Sequence, residues 1–361
     1  MKMRKIVCSF MISVVCFMTA ISGVSATSYD TSKINAAYSK VVEYYKNNNN
    51  LNNADKILAV ESLGLEAESN QFDTSSANLS STSLSKKIVT EVLLGVDPTK
   101  DKETLESQID ENGNVEGSWG ASSDVWTLYA LYVTSSEKTN LIANKLNDEL
   151  AASSVCGYEW GGTYYADYDT TGWVIEGLAV VNKEKYATTI NKAIDYIKNN
   201  TTMTTTGWVT ADNVDTQSQV LEGMFAYDTN ALLNDSYTVH PVDCLLNTQL
   251  SDGSFPSGYN AEYTTAEVAK TLGTYKNGSV IIKAKKAYDK MMNPEQPDNT
   301  KPAQPTDTKK DSQSTNKVET TNQKTTSVKT GDETNVVIFV SLSMVSGGLF
   351  LILRKEYERV H

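Results

Sequence analysis

The feature that most restricts how this chain can fold is a segment it writes three times. DTTGWVIEGLA begins at Asp169, DTQSQVLEGMF at Asp215 and YTTAEVAKTLG at Tyr263. Each follows a loop with an aromatic residue close to glycine: CGYEWGG around Trp160, TTGWV around Trp208 and SDGSFPSG around Phe255. A weaker copy, GSWGASSDVWTLYAL, sets Trp119 ahead of Asp124. The starts at 124, 169, 215 and 263 lie 45, 46 and 48 residues apart, a period that belongs to stacked helical hairpins.

Register holds across the copies. Val174, Leu178 and Val181 correspond to Val220, Met224 and Tyr227, and to Val268, Leu272 and Tyr275. The spacing i, i+4, i+7 gives each helix one apolar stripe. Helical periodicity predicts twelve helices in six pairs: 34–45 with 54–65, 84–95 with 104–109, 123–133 with 141–150, 170–181 with 185–198, 216–227 with 242–250, and 264–275 with 280–291. A lone hairpin cannot bury its stripe, whereas six can, by stacking into a solenoid or closing into a ring. Closure is the expectation, because no polar capping repeat is visible at either end. The fold class expected is therefore all-α, over 27–293.

Both ends have other signatures. Lys2, Arg4 and Lys5 precede an apolar run to Ile21, and Val24-Ser25-Ala26 supplies small residues for cleavage, so 1–26 reads as a signal peptide. Residues 294–326 are almost all Pro, Thr, Ser, Asn, Gln, Lys and Asp, a composition that predicts a disordered spacer. Residues 336–353 are apolar or small throughout and precede Arg354 and Lys355, which predicts a transmembrane helix with a basic cytoplasmic stop. A net charge of −12 and a pI near 4.8 argue against nucleic acid as a partner. Cys156 and Cys244 outlast removal of the signal peptide; bridged or separately buried are both open to them.

Three resemblances follow from these residues. SVKTGD, from Ser327 to Asp332, with its apolar span and basic tail, resembles the sortase sorting signal of Gram-positive surface proteins. It implies cleavage within 327–361 between Thr330 and Gly331 and attachment to peptidoglycan through Thr330. Ser327-Val328 stands where that family has Leu-Pro. The DGS-aromatic loop, followed by D-x-x-T-T and an apolar helix, resembles the repeat of terpenoid cyclases and protein prenyltransferases. That family builds an α/α toroid. LSKKIVTEVLLGVDPTKDKETLESQI together with DYDTTGWVIEGLA is similar to helical domains of bacterial surface proteins related to the cobalamin carriers transcobalamin and intrinsic factor. Carriers of that family clamp ligand against a following β-domain, whereas here the spacer follows directly.

Candidate site residues fall into three sets. Asp124, Asp169 and Asp215 stand where a helix N-cap is expected. Asp167 and Asp169 in ADYDTT resemble the cyclase acid motif, which is incomplete at Thr170, and Glu159 is a further acid candidate. HPVDC offers His240, Asp243 and Cys244, yet its spacing is not that of the prenyltransferase zinc site, and His240-Pro241 is a helix start; no metal or cofactor is predicted. The aromatics are the largest set. Trp119, Trp126, Trp160, Trp173 and Trp208 all sit at repeat loops or helix starts, and Tyr158, Tyr164, Tyr165 and Tyr168 crowd one loop. They either pack hairpin on hairpin or line a recess at one mouth of the ring, with Glu159, Asp167 and Asp169 as polar handles.

The function expected is a non-catalytic surface module, anchored to the wall or membrane, that binds a small molecule, a glycan or a host surface. Corrinoid and carbohydrate are the ligand classes considered. The alternatives are a carbohydrate-active or degenerate cyclase-like enzyme on the same scaffold, and a purely structural head.

Overall fold

A computed structural model describes residues 29–68, 79–200 and 214–293, all within the compact unit Met1–Asp298. The expected signal peptide, spacer and sorting signal, with Thr330, Gly331, the span 336–353 and Trp208, lie outside the described residues. Among the described residues no helix is long and apolar enough to cross a membrane.

The described chain is mostly helical: α1 (Ser32–Asn47), α2 (Ala54–Ser62), α3 (Ser81–Leu93), α4 (Thr99–Ser107), α5 (Ala121–Val133), α6 (Thr139–Ser153), α7 (Tyr168–Asn200), α8 (Val214–Asn234), α9 (Pro241–Leu246), α10 (Ala261–Asn277) and α11 (Val280–Met292). All twelve expected helices fall in or overlap these, but the stretches 170–181 and 185–198 join in α7 across one non-helical residue, Asn182. Asp228 breaks α8 in the same way. Each break residue caps the restart: Asn182 Oδ1 accepts the Lys185 N–H and Asp228 Oδ1 the Ala231 N–H, both at 2.9 Å. Each lies 13 residues after its Asp, at 169 and 215, so an Asx residue turns both hairpins.

The all-helical expectation missed one element. Cys156–Trp160 and Thr163–Asp167 form β1 and β2, an antiparallel pair with Trp160 opposite Thr163 and Tyr158 opposite Tyr165. Gly161 and Gly162 take positive φ, +56° and +77°, the left-handed pair that a two-residue hairpin turn requires. The aromatic side chains on either side favour strand.

Helix packing runs in a circuit. α2 packs on α3, α3 on α5, α5 on α7, α7 on α8, α8 on α10, and α10 back on α2. Val174, Leu178, Val220, Met224, Val268 and Leu272 are buried along these contacts, as the stripe predicts. The remaining helices lean outside or across: α4 on α3 and α5, α6 on α5 and α7, α9 on α8 and α1, and α11 over α2, α3, α5 and α10. Two contacts are backbone-close. A Cβ at Gly223 would stand 2.3 Å from the Gly172 carbonyl oxygen, and one at Gly273 would stand 2.6 Å from the Ser62 carbonyl.

Candidate functional site

Local chemistry pins three of the repeat loops to the helices after them. The Cys156 N–H donates to Thr171 Oγ1 and the Phe255 N–H to Thr265 Oγ1, each at 3.0 Å, while the Trp119 N–H donates to Ser123 Oγ at 3.2 Å. By this stitch Ser123 is the counterpart of Thr171 and Thr265. The weak copy therefore starts at Ala121, three residues before the sequence reading placed it.

That shift changes the part Asp124 plays. It is not an N-cap but the fourth residue of α5, and it is almost fully buried. Its carboxylate accepts the Ser118 hydroxyl at 2.6 Å and pairs with Lys145 Nζ at 3.0 Å. Ser118 Oγ accepts the Gly120 N–H, and Lys145 also donates to the Gly113 carbonyl. Asp124 thus braces the loop that carries Trp119.

From that loop the Trp119 carbonyl accepts the Glu159 N–H at 2.9 Å, which ties it to β1. Trp119 and Trp160 end 5.6 Å apart, centroid to centroid, tilted by 40°. They remain 39% and 38% exposed, unusual for tryptophan. Ser118, Trp119, Glu159, Trp160, Gly161 and Gly162 line a shallow cleft of about 270 Å³. Beside it Tyr158 and Tyr165 stack at 5.6 Å. Tyr164, 45% exposed, donates to Glu149 Oε1 at 2.9 Å. A larger cleft of about 430 Å³ lies between the second halves of α7 and α8, where Lys198 pairs with Asp235.

The other tryptophans go elsewhere. Trp126 is buried, edge-on to Trp173 at 5.9 Å, with Lys86 Nζ 4.5 Å and Lys270 Nζ 5.4 Å from its ring centroid. This pair packs α5 against α7, whereas Trp119 and Trp160 line the cleft.

Among the aspartates the capping work is done by Asp167, not Asp169. Asp167 Oδ1 accepts the Asp169 N–H at 2.9 Å, and Oδ2 accepts the Thr170 N–H at 3.2 Å and the Thr170 hydroxyl. Asp169, second residue of α7, bonds across to Thr216 on α8. Asp215, second residue of α8, accepts backbone N–H groups at its own helix start. Burial pushes all three carboxyls up, Asp169 furthest because Asp167 and Asp215 crowd it.

Sequence reasoning missed a buried polar cluster where α5, α7, α8 and α10 meet. Lys270 pairs with Glu267 at 3.0 Å and lies 3.9 Å from Glu222, all three almost inaccessible. Gln219 Nε2 donates to Glu267 Oε2 at 3.1 Å, and the Thr274 hydroxyl to Glu222 Oε1 at 3.3 Å. Burial alone would lower the Lys270 ammonium, but Glu267 and Glu222 override it and hold it above the usual range. Burial raises Glu222 well above an ordinary carboxylate. Glu176 is raised by burial too, and its contacts agree. Tyr129 has one hydroxyl proton and two acceptors, the Trp173 carbonyl at 2.8 Å and Glu176 Oε2 at 3.0 Å. A protonated Glu176 resolves the conflict by donating to Tyr129 Oη, while Ser279 donates to its other oxygen at 2.6 Å. The signal was in the repeats: Trp173, Gln219 and Glu267 share one position, and Glu176, Glu222 and Lys270 another.

His240 caps α9 through Nδ1, which accepts the Val242 N–H, and Pro241 follows at the first helical position, as expected of a helix start. Among the described residues no His, Cys, Asp or Glu cluster is placed to hold a metal ion. Cys156 and Cys244 are not bridged to each other in the structure. Cys156 is buried in β1 under Thr171, and Cys244 sits on α9. Neither a scan against protein-family models nor a search of curated proteins finds a match to this chain.

Proposed function

We propose that this chain is a surface-anchored, non-catalytic ligand-binding module of a Gram-positive bacterium, an α/α toroid whose loop face holds the ligand. The packing circuit that returns from α10 to α2 supports the toroid. The resemblance of SVKTGD to a sortase signal supports attachment to peptidoglycan through Thr330, with 336–353 as the membrane span and 294–326 as the spacer.

One observation carries the ligand face: two part-exposed indoles side by side, Trp119 on a loop braced by the buried Asp124 carboxylate and Trp160 at the end of β1. Exposed apolar surface costs about 25 cal/mol per Å² relative to burial, so a fold that buries Trp126 has a use for leaving Trp119 and Trp160 out. Stacking on such faces suits the ligand classes raised by the sequence, carbohydrate and corrinoid. A panel of glycans and corrinoids tested by thermal shift should raise the melting temperature of the parent with at least one ligand. That rise should vanish in Trp119→Ala and Trp160→Ala. A rise that survives both substitutions contradicts this reading.

A second reading has its own observation. Asp169 does no capping and lies close to Asp167 and Asp215; burial first, and then these carboxyls, push its own carboxyl well above the usual range, the direction a general acid needs. Asp169→Asn separates the two: unchanged ligand binding supports the module, and loss of turnover on a glycan or isoprenoid substrate supports an enzyme.

A further inference from the structure

Resting on the ligand-face reading, the chemistry of the cleft narrows what it takes. Its six lining residues carry one charge, the carboxylate of Glu159, beside two indole faces. The indoles meet at 40°, so a flat ring lying on one of them leaves the other, whereas a compact rounded group touches both. At about 270 Å³ the cleft falls below the roughly 300–1,000 Å³ typical of drug-sized ligands. Indole is the best aromatic partner for a cation, and a nearby carboxylate adds to the attraction.

Elsewhere the molecule fills such positions itself. Lys86 and Lys270 sit over Trp126, and Lys183 sits over Tyr227. Among the described residues no lysine sits over Trp119 or Trp160. The chain as a whole carries a net charge of −12. We propose that this cleft binds an ammonium head group, quaternary or protonated, against Trp119 and Trp160 with Glu159 as its counter-charge.

The test is ligand-observed NMR titration of the purified full chain with choline, its uncharged tert-butyl analogue and methyl glucoside. Choline should bind at a roughly millimolar dissociation constant, at least about tenfold tighter than the uncharged analogue, and weaken as salt rises. Trp119→Ala and Trp160→Ala should remove the binding. Glu159→Gln should weaken it several-fold, and Glu159→Lys should abolish it while near-ultraviolet circular dichroism stays native. Equal binding of choline and its uncharged analogue overturns the proposal, as does choline binding unchanged in Glu159→Lys. Binding of methyl glucoside that depends on Trp160, with choline silent, overturns the ammonium assignment and leaves the ligand face standing. Silence of all three probes overturns the ammonium assignment; silence of the wider thermal panel as well overturns both.

Discussion

Trp119 and Trp126 stand seven residues apart on one loop and helix, each against a second tryptophan, yet their surroundings are opposite. Trp126 is buried between α5 and α7 with two of the chain's own lysines over its ring. Trp119 is exposed beside Trp160, with a carboxylate at hand. Around Trp126 the cations come from the chain itself, Lys86 paired with Asp55 and Lys270 with Glu267. At the surface pair the cation is left for another molecule to supply. Identical residue types serve stability in one place and recognition in the other, and what separates them is whether the fold provides the partner.

The contrast can be broken from its buried side. Lys270→Met strands the buried Glu267 without its cation and should cost about 3–5 kcal/mol in urea unfolding. A loss under about 1 kcal/mol would mean the cluster adds little to the fold. Gly223→Ala should cost about 1–3 kcal/mol, because the new methyl meets a backbone carbonyl of α7 that no rotamer change can move away. An unchanged midpoint would show that the α7–α8 contact is looser than the geometry requires.

Acidity sharpens the same comparison. Glu222, Glu176 and Asp169 bind protons more tightly folded than unfolded, since burial raises each. Their contribution is fully present below the unfolded carboxyl range, about pH 4, and is lost as pH rises through the folded values. Glu91, raised by burial to about 7, adds to the loss near neutrality. Asp55, held low by Lys86 despite its burial, works the other way and is lost in acid. Urea midpoints should therefore be higher at pH 5 than at pH 8, and Glu222→Gln should flatten that slope. A slope of the opposite sign would show that these carboxyls are ionised in the fold. At the surface, Trp160→Ala should shift stability by no more than about 0.5 kcal/mol.

Much of the fold was legible because the repeat fixes it. The stripe of Val174, Leu178 and their counterparts gave the helices, and Asn182 and Asp228 ended them at a constant distance from the repeat start. The hairpin is not legible as strand, because Gly161-Gly162 sits inside a repeat loop, where a glycine pair marks a loop as readily as a hairpin turn. The place of Asp124 is not legible from its aspartate, because what the weak copy shares with the copies at 169 and 263 is the hydroxyl of Ser123. The buried charges are not legible because Glu176, Glu222 and Lys270 lie beside the apolar stripe, where charged residues ordinarily face solvent. Of the tryptophans, sequence marked the positions but could not sort them, since burial depends on which helices close over each ring.

The most direct test of the division between a self-sufficient interior and an open surface pair is one pair of urea unfolding curves on Trp160→Ala, without choline and with choline at about one hundred times its dissociation constant. The account predicts the parent's midpoint without choline, and none of the roughly 2.7 kcal/mol stabilisation that saturating ligand gives the parent. A midpoint that falls as far as that of Lys270→Met, or a choline stabilisation that persists, would contradict it.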